Sequence, residues 1–175
     1  MNKLTPPNSD EYAEFYAGYV QRAVSKGDIL AALPRQIDEI KSALGNLSDE
    51  QALFRDAPKE WSIKEVMGHL NDVERVFSYR LLRVSRNDAT PLPGFEQNDY
   101  VREAGFDSHT IKDLIQEFEH LRRANILAIQ NMSDEAALRV ASGYPVSARA
   151  LIYMLVGHVD HHMESLNEKY LPFAK

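Results

Sequence analysis

His158 and His162 stand four residues apart in Leu155-Val156-Gly157-His158-Val159-Asp160-His161-His162, and a helix places positions i and i+4 on one face. Leu151 and Leu155 share that stripe, so both imidazoles are expected to face a core. Burying an imidazole is costly unless its nitrogens are satisfied, and one divalent ion satisfies two rings at once. His69 lies on a second apolar stripe with Val66, Leu70, Val73 and Phe77. A single inward histidine is more often a core or rim residue than a ligand, and an HxxxH pair arises by chance in many helices. The third histidine, on a separate helix, makes an open metal site the preferred reading. His109, in Asp107-Ser108-His109-Thr110, and His120, beside the charged Glu119 and Arg122, have no such partnership and are expected in solvent.

Three neutral imidazoles leave positions open on a zinc-like ion, and a water held there has its pKa lowered to roughly 7 in good cases. Such a site can activate water, polarise a carbonyl or bind a thiol as thiolate. The zincin pattern HExxH is absent, because Val159 follows His158. A carboxylate di-iron bundle needs two ExxH pairs, and Glu117-His120 alone has that spacing. A bis-histidine haem site explains the His158/His162 pair poorly. Glu65 and Asp72 lie at i−4 and i+3 from His69, either of them placed to orient its second nitrogen or to act as general base. Asp72 is equally readable as an exposed charge, and Glu65 is already claimed by a helix cap. His161 is read as a mouth or rim residue, and Asp160 as a surface charge projecting away from the pair. The chain has no cysteine, so any nucleophile must arrive as water or as a thiol cosubstrate.

At 175 residues the chain fits one domain with a sizeable core. A net charge of −6 offers no footprint for phosphate backbones, and Arg80, Arg83 and Arg86 read as one solvated helix face. Nucleic acid is therefore not an expected partner. The first residues carry no apolar leader, and no apolar run is long enough to span a bilayer. A cytoplasmic protein with no membrane partner is the expectation.

Several elements must position the histidines. Residues 1–27, with Pro6, Pro7, Gly18, Gly27 and the aromatics Tyr12, Phe15, Tyr16 and Tyr19, read as an N-terminal arm with a short helix from Ser9; residues 28–175 read as the domain. Asp28 caps a first long helix through Leu30, Leu33, Ile37, Ile40 and Leu44, with Pro34 kinking it or marking its early turns. Ser62 and Glu65 form a capping box and Trp61 and Val66 a hydrophobic staple, starting a second helix that runs to about Arg86. The staple accounts for Trp61, which is also placed to wall a pocket. The third and fourth helices are expected over Thr110 to Gln130 and Ser147 to Lys169. Between the second and third helices lies the connection from Asn87 to Ser108, with Pro91, Pro93 and Gly94, read as a long loop of the kind that often carries function.

The chain also repeats faintly: Leu47-Ser48-Asp49-Glu50-Gln51-Ala52-Leu53 resembles Met132-Ser133-Asp134-Glu135-Ala136-Ala137-Leu138 at an offset of 85 residues, which carries Ser62 to Ser147 and His69 to Met154, one turn from His158. This predicts an all-α four-helix bundle built as two helical hairpins joined by a long crossover, with the second helices meeting at corresponding depth.

Trp61-Ser62-Ile63-Lys64-Glu65-Val66-Met67-Gly68-His69-Leu70-Asn71-Asp72, then Pro91-Leu92-Pro93-Gly94-Phe95, then Gly157-His158-Val159-Asp160-His161-His162 resemble the DinB-like (DinB/YfiT) superfamily, from about Gly27 to Tyr170. The resemblance implies a four-helix bundle holding a divalent ion, nickel or zinc, on His69, His158 and His162. It implies a metal-dependent hydrolase using metal-activated water; the alternatives are an S-transferase for low-molecular-weight thiols and a non-catalytic metal- or ligand-binding bundle. Expected partners are a small-molecule substrate, a thiol cosubstrate in the transferase case, and a second copy in a homodimer. Ser165 stands where the family pattern places Gln. Substrate choice would fall to the Asn87 to Ser108 connection and the N-terminal aromatics, which are placed to wall a cleft.

Overall fold

In the computed structural model, which describes residues 4–174, the chain forms α1 (Ala17–Ser25), α2 (Ile29–Leu44), α3 (Ile63–Ser85), α4 (Gln97–Ala104), α5 (Ile111–Gln130), the single turn α6 (Asp134–Ala137) and α7 (Ala148–Ser165), which runs on as a π-helical turn, Leu166–Tyr170. From α2 onward the starts follow from side-chain caps that satisfy free amides. Asp28 accepts from the amides of Leu30 and Ala31 at 3.0 and 3.3 Å. Ser62 accepts from Glu65 at 3.0 Å while the Glu65 carboxylate accepts from the Ser62 amide at 2.9 Å. Pro34 falls within α2, which continues past it to Leu44.

The repeat is structural. Ser62 Oγ accepts from the amide of Glu65 and Ser147 Oγ from that of Ala150, each at 3.0 Å. Arg55 bridges Ser62 as Val140 bridges Ser147, and the amides of Ile63 and Ala148 donate to the carbonyls of Phe54 and Arg139 at 3.1 and 2.9 Å. Every one of these pairs keeps the 85-residue offset. The sequence did not show how the hairpins pack: α2 and α3 each pack on both α5 and α7, which sets the two helices of a hairpin across the bundle from each other. The segments 45–62 and 131–147 are long enough to make that crossing.

Residues 150–159 of α7 are all buried. A helix apolar on every side must be enclosed on every side, and α1, α2 and α3 enclose this one. The N-terminal segment, expected as an arm, therefore carries a helix laid along α7. Gly157 permits the close approach: a Cβ there would stand 1.8 Å from the Tyr19 carbonyl oxygen. Asp160, read from the sequence as a free surface charge, instead forms ion pairs with Arg22, at 3.8 Å, and Lys26, tying α7 to α1.

The Asn87 to Ser108 connection contains α4 and a 3-10 turn at Phe106–Ser108, not an extended loop. Its first part is clamped by two arginines that were expected in solvent. Arg83, 8% exposed, donates to Asp88 at 2.6 Å and to the Thr90 carbonyl at 2.7 Å. Arg80, 7% exposed, donates to the Pro93 carbonyl at 2.9 Å. Long aliphatic stems let such side chains lie buried while their heads reach backbone acceptors; Arg86 alone of the series stays exposed.

Candidate metal centre

His69, in the second turn of α3, and His158 and His162, one turn apart on α7, come together at the α3–α7 contact. One ligand nitrogen from each lies within 4.8 Å of the others, and the Nε2 atoms of His69 and His158 face each other at 3.0 Å. His69 and His158 are buried and His162 half-buried. Trp61 packs its ring 4.8 Å from His69, so the residue that precedes the α3 cap also walls the cluster. Tyr19 stands 5.4 Å from His158 and Phe77 6.1 Å from it.

Burial dominates the electrostatics. It pushes His69 down to about 4 and His162 down to about 3, with the neighbouring imidazoles adding to the effect. His158 is held well below the ordinary histidine value by burial, the other three imidazoles and Arg122. The three rings are therefore neutral at pH 7, the form that donates a lone pair to a metal. A tetrahedral ion with bonds of about 2.0–2.1 Å keeps its ligand nitrogens roughly 3.4 Å apart. The observed spread brackets that spacing, so the three side chains fit such an ion.

The cluster opens on two sides. An aromatic lobe of about 360 Å³ is lined by Tyr16, Tyr19, Phe77, Phe95 and His158. A polar lobe of about 420 Å³ is lined by Lys59, Trp61, His161, His162 and Ser165. Gln97 and Asn98, at the start of α4, line both, and the Glu96 side chain fixes this end by accepting from the Asn98 amide at 3.1 Å. The crossover and the N-terminal aromatics thus wall the cleft, as their composition suggested.

Asp72 lines neither lobe. It is half-buried, its carboxyl raised by burial, between the charges of Arg75 and Glu117. Glu65 serves the cap and an ion pair with Arg55. His161 faces the polar lobe, 5.0 Å from the His162 ring and 5.5 Å from Tyr19, with its pKa lowered by burial. His109 and His120 are exposed. Sequence reasoning missed the polar residues of the lobe, Lys59 and Glu60. They precede the Trp61 staple in a segment without periodicity, and no sequence signal singles them out.

The model of the DinB superfamily matches residues 32–166. No curated protein matches the chain in sequence. Among solved structures, one described as "YfiT from Bacillus subtilis is a probable metal-dependent hydrolase with an unusual four-helix bundle topology" superposes with a TM-score of 0.74 at 13% identity, covering 95% of this chain and 91% of that one.

Proposed function

The chain belongs to the DinB superfamily, and from that premise we propose that it is a metal-dependent hydrolase whose divalent ion, nickel or zinc, is held by His69, His158 and His162. The observation that carries this reading is the convergence of three neutral imidazoles, two of them buried, at the junction of two open lobes. Three histidines with no fourth ligand in their group among the described residues suit a catalytic rather than a structural ion. Such an ion, when bound, acidifies water and polarises a carbonyl. The description of the Bacillus subtilis structure as a probable metal-dependent hydrolase agrees with this choice.

The residues of the chain have separable tasks. Trp61 and Phe77 give the histidines an apolar wall, Trp61 beside His69 and Phe77 beside His158. Gln97 and Asn98 offer amide groups to a substrate lying across both lobes. His161, neutral and half-buried beside His162, takes up a proton at the polar lobe, which it lines and Asp72 does not.

Elemental mass spectrometry of untagged protein tests the reading. The wild type is expected to hold about one divalent ion per chain and His158→Ala to lose it, and hydrolysis of ester and amide libraries is then screened with that metal. A metal-repleted wild type that retains none sinks the proposal. Activity that requires an added low-molecular-weight thiol would assign the chemistry to transfer instead.

A further inference from the structure

Three arginines are buried: Arg80, Arg83 and Arg122. Arg83 pairs with Asp88 and Arg122 with Glu74. Arg80 has no carboxylate partner among the described residues. Its Nη2 donates to the Pro93 carbonyl, its Nε is buried without a partner, and its guanidinium carbon lies 5.9 and 5.8 Å from the ring centres of Phe77 and Phe95. A buried cation compensated only by a carbonyl and two ring faces is costly, and an anion beside it offsets that cost.

There is room for one. Arg80, Tyr16, Phe95 and Tyr144 line a cavity of about 180 Å³, to which Tyr16 and Tyr144 bring phenol side chains. Tyr16 and Phe95 also line the aromatic lobe. Phe77 neighbours both sites: its ring centre lies 6.1 Å from that of His158 and 5.9 Å from the Arg80 guanidinium carbon. Glu96, the acidic residue of the aromatic lobe, does not line the Arg80 cavity.

We propose that Arg80, with the hydroxyls of Tyr16 and Tyr144, binds the carboxylate of a substrate whose apolar or aromatic body lies in the lobe beside Phe77 and Phe95, with its reacting group at the histidines. A single guanidinium with two neutral hydroxyls matches a monoanion. The proposal rests on the reading of the histidine cleft as a substrate site, but anion binding at Arg80 is measurable without any metal.

Isothermal titration of the metal-free chain with 3-phenylpropanoate and with its neutral isostere 3-phenylpropanamide makes that measurement. The carboxylate is expected to bind about tenfold or more tightly than the amide, as a charge-assisted hydrogen bond implies. Arg80→Met, which keeps the stem, is expected to erase the difference. Should Arg80→Met unfold the chain, Tyr144→Phe at the half-open edge is expected to weaken carboxylate binding several-fold with an unchanged melting temperature. Equal binding of the two probes, binding of neither, or an unaltered preference in the variants overturns the proposal. Carboxylate binding that needs added zinc and survives Arg80→Met overturns it as well and places the anion on the metal. Failure of the metal measurement with a retained Arg80-dependent preference would instead remove the hydrolase reading and leave the subsite standing.

Discussion

Two polar clusters lie buried on α3 and α7, and they are built oppositely. In the first, Glu74 receives Nε and Nη2 of Arg122, each at 2.8 Å, and Nδ2 of Asn125 at 2.7 Å. Arg122 also donates to Gln36 at 2.7 Å and to the Leu155 carbonyl at 3.2 Å, and Gln36 donates to the Val156 carbonyl at 2.8 Å. This network closes on itself and ties α2, α3, α5 and α7 at the bundle axis. In the second cluster, one turn away along α7, three imidazoles meet chiefly each other. A closed network needs nothing further and acts as structure; a cluster of neutral lone pairs left facing one another is completed by a ligand.

Acid should separate the clusters most sharply. The folded-state pKa values of His69 and His162, about 4 and about 3, lie below the ordinary value of 6.5, and His158 is lowered too. Stability of the metal-free chain is thus complete above pH 6.5 and falls as pH drops from there toward the folded values, because the unfolded chain takes up protons that the fold excludes. Each histidine contributes a slope of up to about 1.4 kcal/mol per pH unit. Urea unfolding at pH 7, 6 and 5 measures it, and a flat profile would show that the imidazoles charge freely inside the fold. The closed network is broken differently. Glu74→Ala strands Arg122 in the core and is expected to cost about 3–5 kcal/mol at pH 7, whereas replacing both partners, Glu74→Leu with Arg122→Met, is expected to recover most of that loss. A double variant as unstable as the single one would mean that the network's wider hydrogen bonds, not the stranded charge, carry the effect.

The contrast also explains what the sequence disclosed. The histidine cluster was legible because its members repeat on helical stripes, where i, i+4 spacing and capping chemistry are local. The Glu74–Arg122 pair was not read, although Arg122 falls on the inward stripe of Leu114, Ile115, Phe118 and Ile129; a charge there needs a partner, and nothing local says which of several acids supplies it. Arg80 and Arg83 looked solvated for the same reason, since their acceptors, backbone carbonyls and for Arg83 also Asp88, belong to a connection whose path depends on tertiary packing. The bundle itself followed from periodicity and from the 85-residue repeat. The placement of hairpin helices across the bundle did not, because helical stripes tell which face is buried and not against what.

A smaller effect tests the second cluster as an open one. Zinc that binds the folded chain alone stabilises it by mass action, by about 2.7 kcal/mol at a free concentration of one hundred times Kd. A rise in melting temperature with zinc is expected for the wild type and absent for His162→Ala. Glu74→Ala, though destabilised, should still show the rise, because its lesion lies in the other cluster. Loss of the zinc response in Glu74→Ala as well would join the two clusters into one cooperative unit.

The smallest change acts where α1 crosses α7 beside the histidines. A methyl at Gly157 meets Tyr19 backbone, its oxygen at 1.8 Å and its carbonyl carbon at 2.5 Å, so α1 must move rather than a side chain rotate. Overpacking of this kind costs typically about 1–3 kcal/mol, partly offset by the better helix propensity of alanine. The displaced helix carries Tyr19, whose ring seals His158, and the Arg22 and Lys26 partners of Asp160. Gly157→Ala is therefore expected to lose a few degrees of melting temperature, to leave the Glu74–Arg122 network intact, and to speed zinc exchange at the histidines by opening the wall above His158. Measured zinc off-rates equal to wild type in a destabilised Gly157→Ala would show that α1 supports the bundle without governing access to the site.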